Sequence, residues 1–188
     1  LRAFADVDGL VAVGDRVYFF ADDGTHGQEP WTSDGTKAGT RMVKDINPDG
    51  SSDGPYDAHR LGTRFLFGAK SSNDALGQLY RSDGTKAGTR VIRLPFPDDV
   101  QHMVVMDGVL YLDGDTSTKG YELWRSDGTE AGTRFVKDIW PGAGDGNPSY
   151  AVRLGNIIVF QAAHPETGAE LWRSDGTARG TRLIKDLK

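Results

Sequence analysis

Four copies of one phrase recur along the chain: Glu-Pro-Trp-Thr-Ser-Asp-Gly-Thr from Glu29, Gln-Leu-Tyr-Arg-Ser-Asp-Gly-Thr from Gln78, and Glu-Leu-Trp-Arg-Ser-Asp-Gly-Thr from both Glu122 and Glu170. A Gly-Thr step follows each, at Gly39-Thr40, Gly88-Thr89, Gly132-Thr133 and Gly180-Thr181. The serines Ser33, Ser82, Ser126 and Ser174 lie 49, 44 and 48 residues apart. A period of that length defines a repeat architecture before it defines an activity. Four units in 188 residues average 47 each, too few to bury a core alone, so the units must share one. The expectation is a single domain over 1–188, with units near 1–46, 47–94, 95–139 and 140–188.

The last unit parses most easily. Tyr150 to Leu154 reads as a first strand, Gly155-Asn156 as a tight turn, Ile157 to Ala162 as a second strand and Glu170 to Arg173 as a third. The Ser-Asp-Gly-Thr turn then leads into a fourth strand, Thr181 to Leu187. No segment keeps a helical period over ten residues. Neighbouring strand residues point to opposite faces, yet Leu171 and Trp172 are both apolar, as are Val17 to Phe20 in the first unit. A sheet that is apolar on both faces needs a neighbour on each side, and blades packed radially about an axis supply one. The predicted fold is an all-β propeller of four four-stranded antiparallel blades, strand one innermost and strand four outermost.

The phrase then has structural work to do. Trp31, Tyr80, Trp124 and Trp172 are expected as wedges between blades. Asp34, Asp83, Asp127 and Asp175, each followed by glycine, are expected to make the turn from strand three to strand four, the carboxylate bonding nearby amides and the glycine taking positive φ. Pro30, replacing leucine, is expected to distort or expose its strand. The second copy is one residue shorter than the others, and lacks the Lys-Asp pair found at Lys44-Asp45, Lys137-Asp138 and Lys185-Asp186, charges that guard an outer edge.

These residues resemble the bacterial ELWxxDGT repeat family, whose copies read like Glu-Leu-Trp-x-Ser-Asp-Gly-Thr-x-Ala-Gly-Thr-x-x-Val-Lys-Asp-Ile. Glu122 to Ile139 matches almost throughout, and Asn47 to Ser52 is similar to the family's linker. The resemblance implies a secreted or surface-associated bacterial protein with tandem repeats, and transfers no catalytic residues. Pro30, the short second copy and Arg179 in place of alanine depart from the pattern.

Three closures are compatible with the repeats: a complete four-bladed ring, two chains pairing as halves of an eight-bladed ring, or a segment of a longer array. The first unit begins near strand one and the last ends with strand four, so no blade is shared between the ends, although Leu1 to Phe4 reads as a remnant of a preceding strand. Leu1 in place of an initiator Met suggests a processed chain or an excised piece. An unclosed set of blades leaves apolar faces at its ends, which favours closure or self-association.

Composition removes several function classes. A net charge of -5 with acids and bases spread through every repeat leaves no basic stripe for nucleic acid. With no cysteine, disulfides and thiolate metal sites are excluded. Apolar runs such as Ile157 to Phe160 are too short for membrane insertion.

A binding site is expected on the rim formed by the loops between strand four and the next strand one and between strands two and three. Trp140, with Tyr56, Phe96 and Tyr150 behind it, is an aromatic candidate for a sugar ring or partner, set against packing at the top of the core. Asp145 and Asn147 are polar candidates beside them. Aspartates at Asp6 and Asp8, Asp22 and Asp23, Asp113 and Asp115, and Asp145 offer oxygens that calcium could use, but no stretch completes an EF-hand loop, and Asp-Gly turns account for the spacing better. His26, His59, His102 and His164 fall one per unit and read as solvated loop residues rather than a metal set. No Gly-x-Ser-x-Gly or His-Glu-x-x-His motif occurs, and Gly142 to Gly146 leads towards a strand, so it makes no phosphate cradle. The expectation is a non-catalytic exterior module that binds protein or assembles with itself, without cofactor. A lectin-like propeller holding glycans is the alternative, and a polysaccharide-active enzyme comes third.

Overall fold

The computed structural model describes residues 4–48, 54–71, 76–96, 100 and 102–187. Four antiparallel sheets of four strands follow one another along the chain, each in meander order. Blade 1 comprises β1 (Val7–Val13), β2 (Arg16–Asp22), β3 (Gln28–Ser33) and β4 (Arg41–Met42); blade 2 comprises β5 (Tyr56–Leu61), β6 (Arg64–Ala69), β7 (Gln78–Ser82) and β8 (Arg90–Val91). Blade 3 is built from β9 (Val104–Met106), β10 (Val109–Thr116), β11 (Gly120–Ser126) and β12 (Arg134–Lys137), and blade 4 from β13 (Ser149–Leu154), β14 (Ile157–His164), β15 (Gly168–Ser174) and β16 (Arg182–Lys185). No helix occurs among the described residues. The expected all-β, propeller-like blades are therefore present. Leu1 to Ala3, most of the linker after Pro48, the loop at Asn73 and the stretch through Pro97 to Asp99 and Gln101 fall outside the described residues.

The chain divides into two compact units, Leu1–Arg93 with blades 1 and 2 and Leu94–Lys188 with blades 3 and 4. Inside each unit the two-sided apolar pattern does what alternation dictates. Pairing of Phe20 with Pro30 and of Phe19 with Trp31 sorts blade 1 into a leucine face, where Pro30 holds the leucine position, and an aromatic face. The same faces recur in every blade. In the first unit the leucine face of blade 1 (Val13, Tyr18, Phe20, Val43) packs on Phe65, Phe67 and Tyr80 of the aromatic face of blade 2. In the second, Met106, Tyr111, Leu123 and Val136 of blade 3 pack on Ile158, Phe160 and Trp172 of blade 4.

Tyr80 and Trp172 are thus wedges between blades. Trp31 and Trp124 occupy the same face of blades 1 and 3, and there a phenylalanine from the segment before strand one lies against each. Phe4 meets the Trp31 ring at 4.9 Å and Phe96 meets Trp124 at 4.7 Å between centroids. Phe4 is a cover for this face. All four rings are buried, the most exposed being Trp124 at 8%.

Pro30 corrects an expectation. It is buried within an unbroken β3, its carbonyl accepting the Val43 N–H at 2.8 Å. An N–H and C=O of one strand residue point the same way, so the donor missing at Pro30 faces β4. Pairing in blade 1 ends at Met42, whereas Leu123 and Leu171 at the same position pair on with Lys137 and Lys185, so the proline shortens β4 and leaves its own strand unbroken. A second regularity was not foreseen. Strand one bulges in three blades, between Asp8 and Val11, Tyr56 and His59, and Ser149 and Val152, and the residues in left-handed backbone there are Gly9, Asp57 and Tyr150, with His102 in the corresponding place before β9.

Candidate functional site

The Ser-Asp-Gly-Thr phrase and the Gly-Thr step form one hydrogen-bond circuit at the strand three to strand four corner. In blade 1 Asp34 Oδ1 accepts from the Thr36 N–H at 2.9 Å and the Thr36 hydroxyl at 2.7 Å. Thr36 Oγ1 accepts from the Gly39 N–H at 2.9 Å, and Thr40 Oγ1 donates to the Thr36 carbonyl at 2.7 Å while lying 2.7 Å from Ser33 Oγ. The corners at Asp83, Asp127 and Asp175 repeat these contacts. Gly35, Gly84, Gly128 and Gly176 take φ of 84 to 87°, and a Cβ on Gly39, Gly88, Gly132 or Gly180 would collide with the aspartate carboxyl folded over it. Bonds from the threonine two residues on hold Asp34, Asp83 and Asp175 below the ordinary carboxylate pKa.

The glutamate opening the phrase is a latch. Glu29 Oε2 accepts from the Ile46 N–H at 2.8 Å and Oε1 from the Asn47 N–H at 2.7 Å. Glu122 holds the Ile139 and Trp140 amides at 2.7 and 2.8 Å, and Glu170 holds that of Leu187 at 3.3 Å. Glu29 and Glu122 are completely buried. Burial pushes both carboxyls up to about 7, with the charges of Asp45 and Asp138 adding to the rise and the amide bonds opposing it. Sequence reasoning singled out the tryptophan and passed over this glutamate, although three copies carry it and Gln78 replaces it in the second.

The rim candidates separate. Trp140 is half-buried, and its indole folds back over Gly144. Its loop is tied at both ends of the blade 3 and blade 4 pair: the Asn147 N–H donates to the Tyr121 carbonyl at 3.0 Å and the Ala163 N–H to the Gly146 carbonyl at 2.7 Å. Asp145 accepts the Tyr121 N–H at 3.1 Å, so Asp145 and Asn147 are also committed to fastening this loop. Phe96, expected on the rim, is only 6% exposed and packs on Trp124 and over Gly114; it belongs to the core. Tyr56 is half-buried over Gly68. Tyr150 is 75% exposed at φ 53°, its ring 5.9 Å from that of His102.

Each histidine has a polar partner within its own blade. His26 lies 3.0 Å from Asp23, His59 2.8 Å from Asp57 and His102 3.3 Å from Asp113, while His164 Nδ1 accepts the Glu166 N–H at 3.3 Å. Asp22 and Asp23 accept from the amides of Gly24 and Thr25 as turn residues do. Among the described residues no group of three or more His, Asp or Glu side chains is arranged to hold a metal.

Two further features lie on blade 4. On the leucine face of blade 4, Leu154 is 64% exposed, Leu171 46% and Ile184 47%. The strand pairing makes these the equivalents of Met106, Leu123 and Val136, which are 3, 3 and 6% exposed in blade 3. Val152 adds 59% beside them. The signal in the sequence was Leu171 itself, apolar opposite Trp172. Beside this patch a shallow cleft of about 230 Å³ is lined by Arg173, Asp175, Thr177, Arg179, Gly180 and Arg182.

No family model matches the chain, and no curated protein matches it. Solved structures do. A crystal structure of puromycin hydrolase aligns over 99% of this chain and 30% of its own at TM-score 0.63 and 18% identity. An acylaminoacyl peptidase of Pyrococcus horikoshii aligns over 94% and 27% at 0.58 and 14%, and the hydrazine synthase of Kuenenia stuttgartiensis over 97% and 33% at 0.56 and 15%. The chain spans about a third or less of each of these proteins. At such identities the likeness is one of fold alone, and that fold is β-propeller-like.

Proposed function

We propose that this chain is a non-catalytic β-propeller repeat module of the bacterial exterior that mediates protein binding or self-assembly. The observation that carries the reading is the leucine face of blade 4, exposed at the positions that blade 3 buries against its neighbour. A contiguous apolar patch framed by arginines is chemistry suited to a protein surface. The carboxylates with displaced pKa support a non-catalytic role, because Glu29 and Glu122 hold loop amides and Asp34, Asp83 and Asp175 hold corner threonines. The resemblance of the phrase to ELWxxDGT repeats supports the exterior setting. Light scattering on the purified chain, together with capture from bacterial envelope and secreted material, tests the proposal. Association that Leu171→Lys abolishes is expected; a monomer that captures nothing overturns it.

A further inference from the structure

We infer that the leucine face of blade 4 receives the Ser33-Asp34-Gly35-Thr36 corner of blade 1 from a second copy of this chain, with the Arg173 guanidinium donating to a corner carbonyl. The inference rests on the assembly reading above and names its partner and contact.

The same dock is seen twice inside the molecule. In the first unit Tyr18, on the leucine face of blade 1, donates its hydroxyl proton to the Asp83 carbonyl at 3.4 Å, and a Cβ on Gly84 would run into that tyrosine. In the second, Arg125 Nη1 on the leucine face of blade 3 donates to the Gly176 carbonyl at 3.3 Å, and a Cβ on Gly176 would run into Tyr111. Each time the corner of one blade seats on the leucine face of the blade before it, next to the shared apolar cluster.

Blade 4 repeats the receiving half of this arrangement. Arg173 pairs with Val159 as Arg125 pairs with Tyr111, so Arg173 holds the Arg125 position and the smaller Val159 leaves the cleft open. The Arg173 Nε is buried with no hydrogen-bond partner among the described residues. Arg173 and Arg182 stand directly opposite each other across β15 and β16 with Asp175 in the same cleft, and Arg125 and Arg134 stand opposite each other in the same way in the docked blade 3. Blade 1 offers the inserting half. A Cβ on Gly35 would meet nothing within 4 Å, unlike Gly84 and Gly176, and the Asp34 side chain is 39% exposed. A face and a corner at different places on one chain make a head-to-tail contact, which repeats from copy to copy until it closes into a ring or runs on as a filament.

The chain has no cysteine, so introduced thiols report position cleanly. Lys37→Cys marks the exposed side of the blade 1 corner and Arg179→Cys, on the exposed lining of the cleft, the socket, and the two full-length variants are mixed with a short bismaleimide. A covalent dimer containing one of each is expected, and Arg173→Gln should weaken self-association measured by light scattering about tenfold. Both cysteine variants are checked for the wild-type unfolding midpoint before mixing. Association that persists without the mixed dimer and is indifferent to Arg173→Gln overturns this inference while leaving the assembly reading in place. A chain carrying both cysteines that joins them only within itself overturns it as well, since the corner's receiver is then its own chain.

Discussion

Replacing Glu122 by glutamine should change how stability depends on pH, and the size of the change follows from the latch. Its carboxyl has a pKa of about 7 in the folded chain against an ordinary 4.5. At about 1.4 kcal/mol per pH unit, that difference corresponds to about 3 kcal/mol. The folded state holds its proton more tightly than the unfolded state. The stabilisation is therefore complete below pH 4.5 and is lost as pH rises through 7. Glu29 contributes a second loss of the same sign and similar size. Blade 2 contributes none from this position, because Gln78 does not titrate. Glu122→Gln removes about half of the decline. It also costs about 1 kcal/mol at pH 5, since the amide NH2 accepts no hydrogen bond and one of the Ile139 and Trp140 N–H groups loses the carboxyl oxygen that serves it. The variant should be less stable than wild type at pH 5 and equal or more stable at pH 8. Urea unfolding of both proteins at unit steps from pH 5 to 8 reads this directly. A wild-type stability that rises over the interval, or a variant with an unchanged slope, refutes the reasoning.

Leu123 and Leu171 occupy one position in successive blades with opposite exposure, so Leu123→Ala should cost about 2–5 kcal/mol in unfolding free energy and Leu171→Ala under about 1 kcal/mol in the isolated chain. Gly180→Ala drives a Cβ into the Asp175 carboxyl and breaks its two bonds to Thr177, a loss of about 2 kcal/mol by the same assay. Gly155→Ala meets no atom within 4 Å and should cost about 1 kcal/mol through its φ of 62° alone. Tyr150→Gly relieves a bulky side chain from left-handed backbone at an exposed site, and a thermal melt should show a gain of about 0.5–1 kcal/mol.

The blades were legible because their evidence is local and repeated. Adjacent apolar residues such as Leu171-Trp172 demand cover on both faces, and Asp-Gly followed by Thr names its own turn. Pro30 misled because its missing N–H faces β4, so the cost falls on that neighbouring strand, two residues long, and leaves β3 unbroken and buried. Phe96 misled in a related way. An aromatic ahead of a strand can point into the rim or fold onto a glycine of another strand, and only Gly114 decides this. The latch went unread because its partners are backbone amides 17 and 18 residues away, and amides carry no sequence signature. That an unclosed set of blades has apolar end faces was legible, but which leucine face stays exposed was not, since Leu171 and Leu123 sit in the same words.

The matching of a leucine face to an aromatic face, the interface that joins blades within each half of the chain, leaves no step in the fold that counts. A gene that gained or lost one whole unit of 44 to 49 residues would still present an aromatic face for each leucine face, so duplication can multiply such units without any new contact chemistry having to be invented.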